Sequence, residues 1–160
     1  MKLSADNTHG MQTMISAANR FTDTELIPWT PFVLEGMYFK LLDYDGDRCT
    51  ILAKLDKGAK LAIHQHLAPV ELFVLEGSFG YVDDKTGKEY LVRRHGYMYE
   101  PPGTAHRPIS PEGGLGVSIL HGKIRGFDDQ GNERDVGPSE YYRLAKLNNA
   151  VSHLQHLGSD

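Results

Sequence analysis

One cysteine, Cys49, stands in a chain of 160 residues. A single thiol can make no internal disulfide, so a reducing cytoplasm is the simplest expected compartment. Within RCTILAKL that cysteine reads as a small strand residue rather than a nucleophile. Long apolar runs are also missing. No stretch reaches the ~20 residues a membrane-crossing helix needs, and MKLSADNTHG lacks the apolar core of a secretion signal. Cationic excess is absent as well: 17 Lys+Arg against 21 Asp+Glu give a net charge of −4. Neither a membrane nor a nucleic acid is therefore expected as a partner. The chain has no Gly-rich phosphate cradle, no nucleophile elbow and no CxxC pair, which removes three common routes to catalysis.

What remains is an ordinary globular composition, 40% hydrophobic and 24% charged, of a length that suits one domain. Residues 1–30 read as an N-terminal arm. Their apolar positions are scattered, a short helix is expected in MQTMISAANR (11–20), and the prolines of IPWTP end any helix there. From Met37 the texture changes. GMYFKLLDY, RCTILAKL, AKLAIH, VELFVLEG, SFGYVDD, KEYLVR, GYMYEP and GVSILHG are short segments rich in β-branched and aromatic residues. DYDGDR and DDKTGK between them are hairpin-turn compositions, and DDQGNE is a further turn. Many short strands separated by turns predict a β-sandwich or barrel over 31–137. PSEYYRLAKLNNAVSHLQHLG predicts a C-terminal helix within 138–160, opened by Pro-Ser and closed by Gly158.

Polar residues interrupt the apolar strands at GAKLAIHQHLAPVELFVLEG. His64 and His66 are two apart, so a strand places both on one face. Glu71 follows after a turn at Pro69. Burying unpaired groups of this kind costs several kcal/mol, roughly 2–7 for a polar group, so a partner or a metal ion is required if they lie inside. In GYMYEPPGTAHRPIS, Pro101, Pro102 and Gly103 force a tight turn that delivers His106 to the next strand. Three imidazoles and a carboxylate form a donor set for one divalent metal.

These spacings resemble the cupin superfamily, of the RmlC-like kind. Gly58, His64, His66, Glu71 and Gly77 match the first cupin motif, with four residues before Glu71 and five after it. Gly96, Pro101, Gly103 and His106 match the second, one residue short before the proline and with Ser110 where Asn is usual. PWTPF, YEPPG, SILHG and FDDQGN further resemble the branch holding dioxygenases that cleave acetylacetone or a dihydroxyacetophenone, together with ChrR-like anti-sigma cupins. The resemblance implies an all-β jelly-roll barrel, the double-stranded β-helix. It also implies Fe(II) held by His64, His66 and His106, with Ni, Zn or Mn as alternatives. Glu71 occupies the general cupin carboxylate position, as fourth ligand or pocket carboxylate. Glu100 matches a carboxylate that supports the site from behind the ligands, where a metal-bound imidazole donates its other N–H.

The implied activity is oxygenolytic C–C cleavage of a small diketone-like or hydroxy-ketone substrate, with O₂ as co-substrate. Two alternatives stand beside it: a non-catalytic metal-binding sensor or regulatory module, and a metal-dependent isomerase or hydrolase on the same fold. The first 30 residues contain no cysteine, unlike the Cys/His-rich zinc segment that precedes the anti-sigma cupins. Phe73, Tyr81, Tyr97 and Tyr99 are expected in the core or lining a cavity. His121 is expected either to line a pocket or to be structural, and His9, His95, His153 and His156 to face solvent. Arg107 is expected in a surface salt bridge, with an anionic substrate as the alternative partner. Both faces of VELFVL are apolar, which predicts a covered outer face and hence a homodimer or higher homo-oligomer.

Overall fold

The computed structural model describes residues 20–127 and 130–157, with side chains described to Leu154. The helix expected in 11–20 lies, but for its last residue, outside them. Twelve antiparallel strands make up most of the fold: β1 (Thr30–Pro31), β2 (Met37–Tyr44), β3 (Cys49–Leu55), β4 (Ala59–Lys60), β5 (His64–His66), β6 (Val70–Val82), β7 (Glu89–Arg93), β8 (Tyr97–Glu100), β9 (Ala105–Ser110), β10 (Gly114–Leu120), β11 (Ile124–Phe127) and β12 (Glu133–Val136). Among the described residues one α-helix, α1 (Pro138–Leu147), follows them, and then a short 3-10 helix, Ser152–Leu157. The strand order is β1-β2-β3-β10-β6-β9-β5-β11-β12, with β4 on β9 and both β7 and β8 on β6.

The expected separate strands VELFVLEG and SFGYVDD are one strand, β6, and this correction explains the curl. The first half of β6 pairs with β10 and β8, and the second half pairs with β7 and β9. The strand bends at Gly77, whose φ of +66° suits glycine, and where a Cβ would stand 1.9 Å from the Gly113 carbonyl oxygen. The polypeptide thus changes layers without a loop, and the two layers close over an apolar interior. The hairpin β11–β12 was not among the expected strands. IRGF and ERDV are too short and too polar for alternation to show, yet β11 pairs with β5, the strand of the two histidines.

The core has two parts. Phe39, Leu41, Ile51, Val70 and Leu120 pack with Tyr141 and Ala145 of α1, and Leu55, Leu61, Leu72, Val74 and Phe79 pack at the other end. Tyr141 stacks on Phe32 at 4.7 Å and meets Phe39 edge-on at 5.0 Å, so α1 closes the sheet of its own chain. The helix is shorter than its sequence suggests. It stops at Leu147, because Asn149 takes a φ of 54° and the Ala150 N–H turns back to the Ala145 carbonyl. His153, expected in solvent, instead lies with Nε2 2.6 Å from the Leu41 carbonyl oxygen. The segment before β1 is held by Lys40, which is buried, donates to the Thr24 carbonyl at 2.8 Å and lies 4.7 Å from the centre of the Trp29 ring. Among the described residues no helix is long and apolar enough to cross a membrane.

Candidate metal centre

β5 and β9 are neighbours in register, His64 opposite His106, so the three histidines fall on two adjacent strands. The turn Pro101–Gly103 fixes that register. Gly103 N–H donates to the His66 carbonyl at 2.8 Å, and His66 N–H donates to the Thr104 carbonyl at 2.9 Å. Alternation then sends the side chains of His64 and His66 to the same face, toward His106. The ligand atoms of all three lie within 4.8 Å of one another, and the Nε2 atoms of His64 and His66 are 2.9 Å apart.

Burial decides the charge of this cluster. His66 and His106 are buried and His64 is half-buried. Loss of solvation pushes the His64 imidazole down to about 3, with its neighbours His66 and His106 adding to the effect. His66 and His106 are pushed down to about 4 by the same cause. At neutral pH the rings are therefore uncharged, with lone pairs available. Convergent neutral imidazole nitrogens in an apolar interior fit a divalent transition metal, and the three histidines can bind one.

Glu100, at the end of β8, completes the cluster. It is buried, with Oε1 3.1 Å from His106 Nε2 and Oε2 3.9 Å from His66 Nε2. Desolvation raises its carboxyl to about 7. This placement differs from the expected one. The carboxylate faces the converging nitrogens and is not behind a ring at Nδ1. Among the described residues the Nδ1 atoms of His66 and His106 are buried without a hydrogen-bond partner.

The sequence profile of the ChrR cupin-like domain matches residues 17–125. The chain belongs to this cupin family. No curated protein matches the sequence. Among solved structures, the fold is similar to a candidate acetylacetone dioxygenase of Methylibium petroleiphilum, with a TM-score of 0.70 and 19% identity over 80% of this chain and 94% of that one. It is also similar to an acetylacetone dioxygenase of Acinetobacter johnsonii, with a TM-score of 0.66 and 19% identity over 84% and 99% of the two chains. A cupin sugar phosphate isomerase of Silicibacter pomeroyi shares the fold too, with a TM-score of 0.54 and 16% identity over 74% and 93%.

In this cupin Glu71 is not brought to the histidines. On β6, Leu72 and Val74 point into the core, and alternation puts Glu71 and Phe73 on the outer face. There Tyr97 donates its hydroxyl hydrogen to Glu71 Oε1 at 2.7 Å, and His121 Nε2 lies 2.6 Å from Oε2. The Tyr97 hydrogen bond, with His121 after it, holds the Glu71 carboxyl below its usual range. The carboxylate is thus satisfied without a metal, which corrects the expectation of a fourth ligand. The same alternation leaves Phe73 exposed, where a core or cavity position was expected, while Tyr97 and Tyr99, also exposed, line an outer groove. Arg107 pairs with Asp84 at 3.0 Å and donates to the Leu61 carbonyl. The expected surface salt bridge is therefore there.

The histidines and Glu100 open onto an interior cavity of about 110 Å³, otherwise walled by apolar residues such as Ile51, Leu61, Leu72, Met98 and Leu120. An outer groove of about 510 Å³, lined by Tyr81, Tyr90, Tyr97 and Tyr99, meets the same Glu100 and His106 from the other side. The groove is not legible in the sequence because its tyrosines are spread over three strands.

Proposed function

We propose that this cupin is a metal-dependent dioxygenase that cleaves a C–C bond in a small β-diketone-like or hydroxy-ketone substrate, with Fe(II) as its metal. One observation carries the reading: three uncharged imidazoles and a buried carboxylate converge at a small cavity walled mostly by apolar residues. His64, His66 and His106 would hold the metal, with Glu100 beside it. When bound, Fe(II) would supply a Lewis acid for a ketone oxygen and a meeting point for O₂. The rest falls to the chain. The apolar walls fit a compact substrate and exclude water. Glu100, with its carboxyl near 7, can take the acidic C–H proton of a β-diketone onto Oε1 and leave an enolate. Two of the similar folds are described as acetylacetone dioxygenases, which supports the reading.

The test is an oxygen-electrode screen of anaerobically purified, Fe(II)-loaded protein across a panel of β-diketones and hydroxy-ketones. Substrate-dependent O₂ uptake is expected, and Glu100→Gln should slow it by about 10²–10⁴-fold with metal content kept. Ketone turnover without O₂ would favour the isomerase reading, for which a buried proton acceptor is equally apt. Metal binding with no turnover would favour a sensor module.

We further propose a cytoplasmic protein that pairs with a second copy through the outer face of β6 and β8. Phe73, Tyr97 and Tyr99 are 42%, 57% and 54% exposed there, a concentration of aromatic surface that a monomer seldom leaves uncovered. Light scattering should give at least twice the chain's 17.9 kDa. A monomer mass at micromolar concentration would rule the pairing out.

A further inference from the structure

A metal-bound histidine is usually aimed by a hydrogen bond from its second ring nitrogen to a carboxylate or carbonyl. His106 lacks that support, since its Nδ1 is buried with no hydrogen-bond partner among the described residues. Something else must set the angle of its ring. Tyr81 lies against it at a centroid distance of 4.9 Å and an interplanar angle of only 3°. The contacts of His106 with His64 and His66 are by contrast edge-on, at 70° and 61°.

The backbone explains why these rings meet. Tyr81 of β6 is in register with Pro108 of β9, two residues from His106, so Tyr81 and His106 are diagonal neighbours on one face. On its other flank Tyr81 is in register with Tyr90 of β7, and those rings stack at 5.1 Å and 26°. Lys88 Nζ lies 4.8 Å from the centre of the Tyr90 ring. A column of rings thus runs from the surface to the imidazole.

We infer that Tyr81, backed by Tyr90, is the positioning residue for His106: its ring, stacked flat on the imidazole, takes the place of the missing hydrogen bond and aims Nε2 at the metal. This role rests on the metal reading proposed above. A stack can do this because offset parallel rings resist tilting, while a β-sheet diagonal fixes where both rings start.

The test uses Co(II) alone as probe, because its visible absorption bands report ligand geometry independently of turnover. Tyr81→Phe keeps the stack and should match the parent in Co(II) affinity and spectrum. Tyr81→Leu keeps apolar bulk without the stack, and should bind Co(II) about three- to tenfold more weakly with shifted bands. Tyr90→Leu should give a smaller change of the same sign, and it serves if Tyr81→Leu does not fold. Parent-like affinity and spectrum in a folded Tyr81→Leu, or in Tyr90→Leu where that variant must serve, overturns the inference. So does a Tyr81→Phe as impaired as Tyr81→Leu, because the hydroxyl would then be the active part. A parent protein that takes up no Co(II) overturns the metal reading itself, and the positioning role with it.

Discussion

Protein carrying His106→Ala together with Glu100→Gln, loaded anaerobically with Fe(II) and desalted, is expected to retain less than about a tenth of the parent's metal, with affinity lowered by about a hundredfold or more. Losing a group that only orients a ligand typically costs about 10–100-fold in metal affinity, so losing the ligand itself should cost at least as much. The neighbouring histidines cannot compensate. His64 and His66 sit on the short strand β5, fixed on one side by β11 and on the other by β9, so neither can swing into the vacant position. Glu100 reaches the same space, and two imidazoles with one carboxylate can hold Fe(II), so Glu100→Gln is included to remove that oxygen donor. Glu71→Ala is the matched control. Its carboxylate is engaged by Tyr97 and His121 on the outer face, so metal content should stay within about twofold of the parent. Metal analysis after desalting reads both variants. Parent-like metal in the His106→Ala, Glu100→Gln protein would remove the histidine cluster from consideration, and metal loss in Glu71→Ala would return that residue to the ligand set.

The contrast between these two residues separates what is local in the sequence from what is not. The His-x-His spacing needs only strand periodicity, and the Pro-Pro-Gly turn needs only backbone chemistry. Both are local properties, so the residue order marks the two parts of the histidine set, and the long-range pairing of β5 with β9 joins them. Glu71 obeys a local rule as well, since it alternates with Leu72 and Val74. Which face of β6 looks inward is not local, because both faces are apolar and one is exposed. Glu100 is hard to place for a related reason. A carboxylate at a strand end looks solvated, and only the packing of β8 against β6 puts it inside. The continuity of β6 through Gly77 is equally hidden. Glycine ends strands more often than it bends them, and the distinction lies in Gly113 approaching from a distant strand. The His106–Tyr81 stack depends on two registers at once, β6 with β9 and β6 with β7, neither of which a single sequence specifies.

The second large effect concerns acid. The metal-free protein should be markedly less stable at pH 5 than at pH 7, with most of the loss due to the histidine cluster. An unfolded histidine titrates near 6.5, whereas these three titrate at about 3, 4 and 4 in the fold. Below 6.5 the unfolded chain therefore takes up protons that the folded chain refuses. The stability is complete above 6.5 and drains as pH falls toward the folded values. At pH 5 this amounts to about 2 kcal/mol per histidine. Glu100 acts in the opposite sense. Its carboxyl is raised from 4.5 to about 7, so its contribution is full below 4.5 and is lost as pH rises through 7. It offsets about one histidine, leaving a net loss on the order of 3–4 kcal/mol, a large share of the ~5–15 kcal/mol that holds a typical domain. Glu100→Gln should steepen the acid loss, and His64→Leu should flatten it. Saturating metal should raise stability by a similar amount at both pH values, because a metal at a hundred times its Kd adds about 2.7 kcal/mol and the folded imidazoles, held uncharged to well below pH 5, carry no proton for it to displace. Urea midpoints at both pH values, with chelator and with metal, measure each part. A chelated protein equally stable at pH 5 and pH 7 would mean that the imidazoles are not held uncharged in a dry interior.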